Sequence, residues 1–171
     1  DNYPTPTFNF PLYEATDLIN CHSHMTYTML KEHFPEKTNF IPHSLPEDLF
    51  YPMSENERSE FRAKMIGQER HDDFVLFWVN ARRKRPNDVL WSWAEFIKKN
   101  RKSGERVKAT LLMHTDPLDQ EGPNLLATAE TLGIMDNVVF STQRIDFEEV
   151  RVLHNISDAC INISYAEGFG L

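Results

Sequence analysis

The sequence predicts an α/β fold built on a doubly wound parallel sheet, and three observations predict it. DFVLFWVN (73–80) and VKATLLMH (107–114) are apolar almost without interruption over the length of a strand, the pattern of strands covered on both faces. From residue 73 onward, strand-like and helix-like stretches alternate as strand, helix, strand, helix, strand, helix, strand, the order that builds successive βαβ units. The helix-like stretches also carry boundary signals, such as the Gly133 that closes NLLATAETLG.

Each element follows in order. DNYPTPTFNFPLY (1–13) holds three prolines and no period, so it reads as an irregular entry segment. ATDLINCHS is a short strand ending near Ser23, HMTYTMLKEH spaces Met25, Met29 and Leu30 as a helix does, and KTNFIPHS is a second short strand. SLPEDLFYP, with Pro46 and Pro52, reads as an extended linker. SENERSEFRAKMIG (54–67) opens on a Ser-x-x-Glu capping signature and closes on glycine, which marks a helix. After the first buried strand and the turn RRKRPN comes DVLWSWAEFIKKN, a strongly apolar helix with Lys98, Lys99 and Arg101 at its end. Then follow the strand VKATLLMH, the polar loop TDPLDQEGP, the helix NLLATAETLG, the strand NVVFST, the helix DFEEVRVLHNI, the strand DACINIS and the loop YAEGFG.

Composition limits the partners. Formal charge is −8 and the isoelectric point near 5.3, which disfavours nucleic acid and anionic membranes as partners reached through bulk electrostatics and makes any basic cluster local. Cys21 and Cys160 are too few and too distant for a disulfide framework, so a reducing, cytoplasmic setting is the expectation. No apolar run is long enough for a transmembrane segment, and the N-terminus lacks a signal-peptide pattern.

Ligands of doubly wound sheets bind outside the carboxyl ends of the strands. Two clusters fall at that edge. Arg82, Arg83, Lys84 and Arg85 lie between a strand and a helix start, where cations and free helix N–H groups act together on a phosphate, although runs of charge are commonly no more than solvated loops. Glu167, Gly168, Phe169 and Gly170 form a turn whose glycines admit close backbone approach and whose carboxylate suits hydroxyl groups. A lone Gly-x-Gly says little by itself.

Taken together with ATDLINCHSHMTYTML, NFIPHSLPEDLFYP, FVLFWVNARRKRPNDVL, VRVLHNISDACINIS and YAEGFGL, these clusters give the chain from residue 14 onward a resemblance. It resembles the retaining glycosyltransferases of GT-B fold, family four, also called glycosyl transferases group 1. The most specific match is the run from Ser164 to Gly170. The resemblance implies that residues 1–52 are the end of an N-terminal, acceptor-side domain with its hinge, a strand-helix-strand remnant. It implies that 53–171 are a Rossmann-like donor-binding domain, truncated at its C-terminus. The implied reaction is transfer of a glycosyl group from a nucleotide-diphosphate sugar, with retention, to an unknown acceptor that is a sugar, a lipid or a protein. No cofactor or metal is implied. Lys84 with Arg82 or Arg83 would neutralise the leaving diphosphate, and Glu167 would hold hydroxyls of the donor sugar. Gly168, Phe169 and Gly170 would complete the cradle, while Thr142, Gln143 and Arg144 would recognise the base. The expected place is cytoplasmic, or peripheral to a membrane in a full-length enzyme.

The chain departs from the family pattern in three ways. The basic loop is about two residues short, Ser44 stands where a hinge glycine is usual, and the motif's second glutamate would fall past Leu171. The expectation is therefore a fragment cut inside its donor loop, with weak donor binding and no turnover. Cys21, His22 and His24 lack the second ligand pair of a zinc site, and His114 with Asp116 reads as a turn before it reads as an acid–base pair. His43 sits at the hinge in an extended context and reads as structural, and Trp78, Trp91 and Trp93 sit among apolar neighbours that place them in the core. Two other readings stay open, a nucleotide-sugar epimerase of the same architecture and a non-catalytic module that binds phosphate or protein.

Overall fold

The computed structural model describes residues 5–79 and 84–164, and the chain divides into two compact units. The described part of the first, residues 5–46, runs α1 (Phe10–Ala15), β1 (Ile19–Cys21), α2 (His24–His33) and β2 (Thr38–Phe40). β1 and β2 pair in parallel, Ile19 against Thr38, and bury Ile19, Cys21, Met29, Leu30 and Phe34 between strand and helix. Ser23 caps α2 by accepting the Thr26 N–H at 3.0 Å. The entry segment is not irregular throughout, because α1 forms inside it: Pro11 falls in the first turn, where its missing N–H costs nothing and its fixed φ suits a helix. Met25 departs from its expected inward face and is exposed.

The second unit, described over residues 47–164, contains α3 (Glu55–Ile66), β3 (Phe74–Val79), α4 (Pro86–Asn100), β4 (Ala109–His114), α5 (Leu125–Thr131), β5 (Val138–Ser141), α6 (Phe147–Asn155) and β6 (Ala159–Cys160). Its four strands are all parallel, in the order β5-β4-β3-β6. The two-residue alternation of strand side chains sends Trp78, Leu111 and Met113 to one face, where α4 and α5 cover them, and Val75, Phe77 and Leu112 to the other, against α3 and α6. Helices on both faces satisfy strands that are apolar throughout, which is the doubly wound arrangement expected from the sequence.

Local signals set the element ends. Ser54 and Glu57 close a reciprocal capping box on α3, and Asp146 and Glu149 close another on α6. At the end of α5 the Ile134 N–H reaches the Ala129 carbonyl at 3.1 Å and the Gly133 N–H the Glu130 carbonyl at 2.9 Å, a Schellman motif that needs Gly133 at φ 66°.

The amino edge of the sheet is closed by two carboxylates. Asp73, 3% exposed, accepts from Arg106 at 2.7 and 2.8 Å and from the Thr110 hydroxyl at 2.6 Å. Asp158 accepts from Arg58 at 2.7 Å, from Arg62 at 2.8 Å and from the Val75 N–H at 2.7 Å. Burial alone would push the Asp158 carboxyl up, but the Val75 N–H and the Arg58 and Arg62 guanidiniums outweigh it and hold the group below its ordinary range.

Candidate functional site at the carboxyl edge

The winding of the sheet reverses beside β3. The helices α4 and α5 carry the chain from β3 through β4 to β5 on one face, and α6 brings it back across the other face to pair β6 with the free side of β3, Phe77 opposite Cys160. The carboxyl ends of β3 and β6 therefore flank the topological switch point, where doubly wound sheets take their ligands.

On the β3 side of this point, three local contacts organise the return of the chain into α4. The buried indole of Trp78 donates from Nε1 to the carbonyl of Lys84 at 3.2 Å. Arg85 caps the helix in the left-handed region, φ 52°, a conformation that costs a non-glycine residue about 1 kcal/mol and that concentrates at functional sites. Its Nε donates to the Asp88 carboxylate at 2.7 Å, while Pro86 opens the helix with φ already set. Lys84 thus stands half-buried beside the first turn and positive dipole end of a fifteen-residue helix.

The ends of β4 and β5 shape the adjoining hollow, about 300 Å³, between Val79, His114, Asp116, Ser141 and the turn 142–144. Thr115 donates its N–H to the Ser141 carbonyl at 3.0 Å, which keeps these two strand ends together. His114 Nδ1 lies 3.0 Å from the Ser141 hydroxyl. Burial pushes the His114 imidazole below its ordinary basicity, with the Ser141 contact a smaller opposing effect, so the ring is neutral at pH 7 and offers a hydrogen bond without a charge.

Among the residues expected from the sequence, Lys84 stands at the switch point, and Thr142, Gln143 and Arg144 are exposed together at the rim of the hollow. Arg82, Arg83, Glu167, Gly168, Phe169 and Gly170 lie outside the described residues. Asp116 behaves as the turn residue expected, its side chain accepting from the Leu118 N–H at 2.9 Å, and His114 is bonded to Ser141. His114 is the residue that sequence reasoning passed over, although its place as the last residue of β4 already put it at the ligand edge.

Other residues weighed in the sequence take structural places. His22 packs edge-on against His43, ring centroids 5.0 Å apart, and its Nδ1 lies 3.0 Å from the Ile41 carbonyl. Among the described residues no three His, Cys, Asp or Glu side chains gather in a way that would hold a metal ion. Trp78 and Trp93 are in the core, but Trp91 is not: it is 59% exposed, because its position on α4 turns it away from the face that carries Val89, Leu90 and Trp93.

No protein-family model matches the chain, and no curated protein matches its sequence. Solved structures do resemble it. HepE of Anabaena in complex with UDP is similar at TM-score 0.66 and 18% identity, over 88% of this chain and 39% of HepE. HepE in complex with UDP-glucose gives 0.64 at 19% identity, and in complex with UDP and glucose 0.63 at 18%, with the same coverage of both chains. The chain thus spans about two-fifths of the length of the proteins it matches, and what it shares with them is the α/β fold with parallel sheets and helices on both faces.

Proposed function

We propose that this chain carries the donor-binding half of a glycosyltransferase that uses a nucleotide-diphosphate sugar. The observation that carries the reading is the place of Lys84, at the N-terminal end of α4 and beside the point where the strand order reverses. That HepE, which shares the fold, is found in complex with UDP-glucose supports the choice of ligand class.

The hard step of such a transfer is departure of the nucleoside diphosphate, whose charge grows as the glycosyl bond breaks. Lys84 and the N–H groups of α4 face that charge without having to reorganise, so they stabilise the departing group more than the intact donor, and no metal ion is required for this. Arg82 or Arg83 adds a second cation. Glu167 holds hydroxyls of the donor sugar, with Gly168, Phe169 and Gly170 completing the cradle by their backbone. The rim residues Thr142, Gln143 and Arg144 hold the base, with neutral His114 between base and phosphates. Transfer proceeds with retention to a sugar, lipid or protein acceptor, and residues 1–52 belong to the acceptor side.

Calorimetric titration with UDP tests the reading. Binding that weakens at least tenfold in Lys84→Ala supports it. No binding of any nucleoside diphosphate overturns it in favour of a non-catalytic module.

A further inference from the structure

The last turns of α4 and the turn beyond it form the longest basic stretch of this acidic chain. Residues 98–108, KKNRKSGERVK, contain six Lys or Arg and one Glu. Arg106 is taken up by Asp73, and Lys98 lies 4.0 Å from Glu95. Arg101 donates to the Gly133 carbonyl at 3.3 Å. The carbonyl ends of α4 and α5 together supply about one unit of negative partial charge, which is too little to offset Lys98, Lys99, Arg101 and Lys102.

Three of these cations, Lys98, Arg101 and Lys102, line a hollow of about 540 Å³ with Ser103 and Gly104, bounded across from them by the turn that ends α5. Trp91 lines the same hollow and is more than half exposed, one helical face with Glu95 and Lys98. An exposed indole beside long-stemmed cations is the arrangement that settles at a bilayer surface, the ring in the headgroup layer and the charges on anionic phosphates. The net charge of −8 opposes a nucleic acid and an anionic bilayer alike beyond this patch, so it is the exposed Trp91 indole, suited to a headgroup layer, that favours the bilayer. The patch lies at the amino edge of the sheet, at the opposite end of α4 from Lys84.

We propose that this face docks on an anionic phospholipid bilayer, with a headgroup phosphate in the hollow between Lys98, Arg101 and Lys102, and Trp91 in the interface. The proposal is independent of the nucleotide-sugar reading.

Co-sedimentation of the whole chain with large vesicles tests it, phosphatidylcholine alone against phosphatidylcholine with phosphatidylglycerol. Binding is expected to the anionic vesicles only, strong near 0.05 M salt and largely lost near about 0.5 M. The double variant Lys98→Glu, Lys102→Glu lowers partitioning roughly tenfold or more. Trp91→Ser, an exposed position, lowers it severalfold and abolishes a blue shift in indole emission on binding. Circular dichroism unchanged in both variants keeps the comparison one of surfaces.

Three results overturn the proposal: no sedimentation at low salt, sedimentation indifferent to the double variant, or equal binding of an RNA oligonucleotide or polyglutamate. Complete competition by millimolar glycerol phosphate also overturns it, since the hollow then takes a soluble phosphate and the lipid surface adds nothing.

Discussion

The two edges of the four-stranded sheet are held by different means. At the amino edge, the carboxylate of Asp73 holds Arg106 and the Thr110 hydroxyl, and that of Asp158 holds Arg58, Arg62 and the Val75 N–H. At the carboxyl edge, Lys84 stands beside the positive end of α4, and Arg85, its backbone held in a left-handed conformation, donates to Asp88. Buried matched charge fixes the first edge; a strained backbone at a long helix's start marks the second as the candidate site.

Substitutions separate the two edges. The largest effect on folding is expected for Asp73→Ala, which leaves Arg106 without its carboxylate and Thr110 without its acceptor: about 3 to 5 kcal/mol in urea unfolding, with UDP affinity of the folded fraction unchanged. Asp158→Asn is expected to cost about 2 to 3 kcal/mol at neutral pH. Its cost depends on pH in a defined direction. Because the folded carboxyl titrates below its ordinary value, its contribution is complete above about pH 4 and disappears as the pH falls through the folded value. Melting curves of wild type and variant should therefore converge in acid and diverge above it.

At the carboxyl edge, Lys84→Ala should cost about 1 kcal/mol of stability or less, while weakening UDP about tenfold to a hundredfold. Smaller in its effect on UDP is Trp78→Phe, which removes the donor to the Lys84 carbonyl and part of a fully buried ring: about 2 kcal/mol of stability, with loss of affinity confined to UDP and absent for uridine. Equal weakening of both ligands would show that the indole only packs. Both His114 and His154 are pushed down by burial, so folding stability should also decline as the pH drops below about 6.5, where the unfolded imidazoles take up protons first.

The sheet was legible because buried parallel strands have no polar face to interrupt them, as FVLFWV and ATLLMH show. The capping residues Ser54 and Gly133 act within a few positions of their helices, so a local reading suffices for them as well. Reading by neighbours failed where direction mattered. Trp91 stands between apolar residues in the chain yet faces solvent, since the angle around the helix and not adjacency decides burial. Pro11 hid a helix that proline is able to start. The carboxylate clusters were invisible for a different reason: Asp158 meets Val75 and Arg62 across 83 and 96 residues, and no local pattern announces such a meeting. At the candidate site, the sequence supplied the strand-end rule that puts Lys84 and residues 142–144 at the edge, but the bond from Trp78 to Lys84 requires the fold.

The pairing of β6 with β3 has a kinetic consequence. Phe74 meets Ala109 and Leu111 meets Val138 across single short crossovers, whereas Leu76 finds Ala159 only after the whole intervening chain has been ordered. Loop-closure entropy makes that long-range pairing the slow one. The three-stranded platform is therefore expected to assemble before β6 docks, so protection of the Ile161 amide, which donates to the Phe77 carbonyl, should lag behind that of the β4 amides in pulsed hydrogen exchange during refolding.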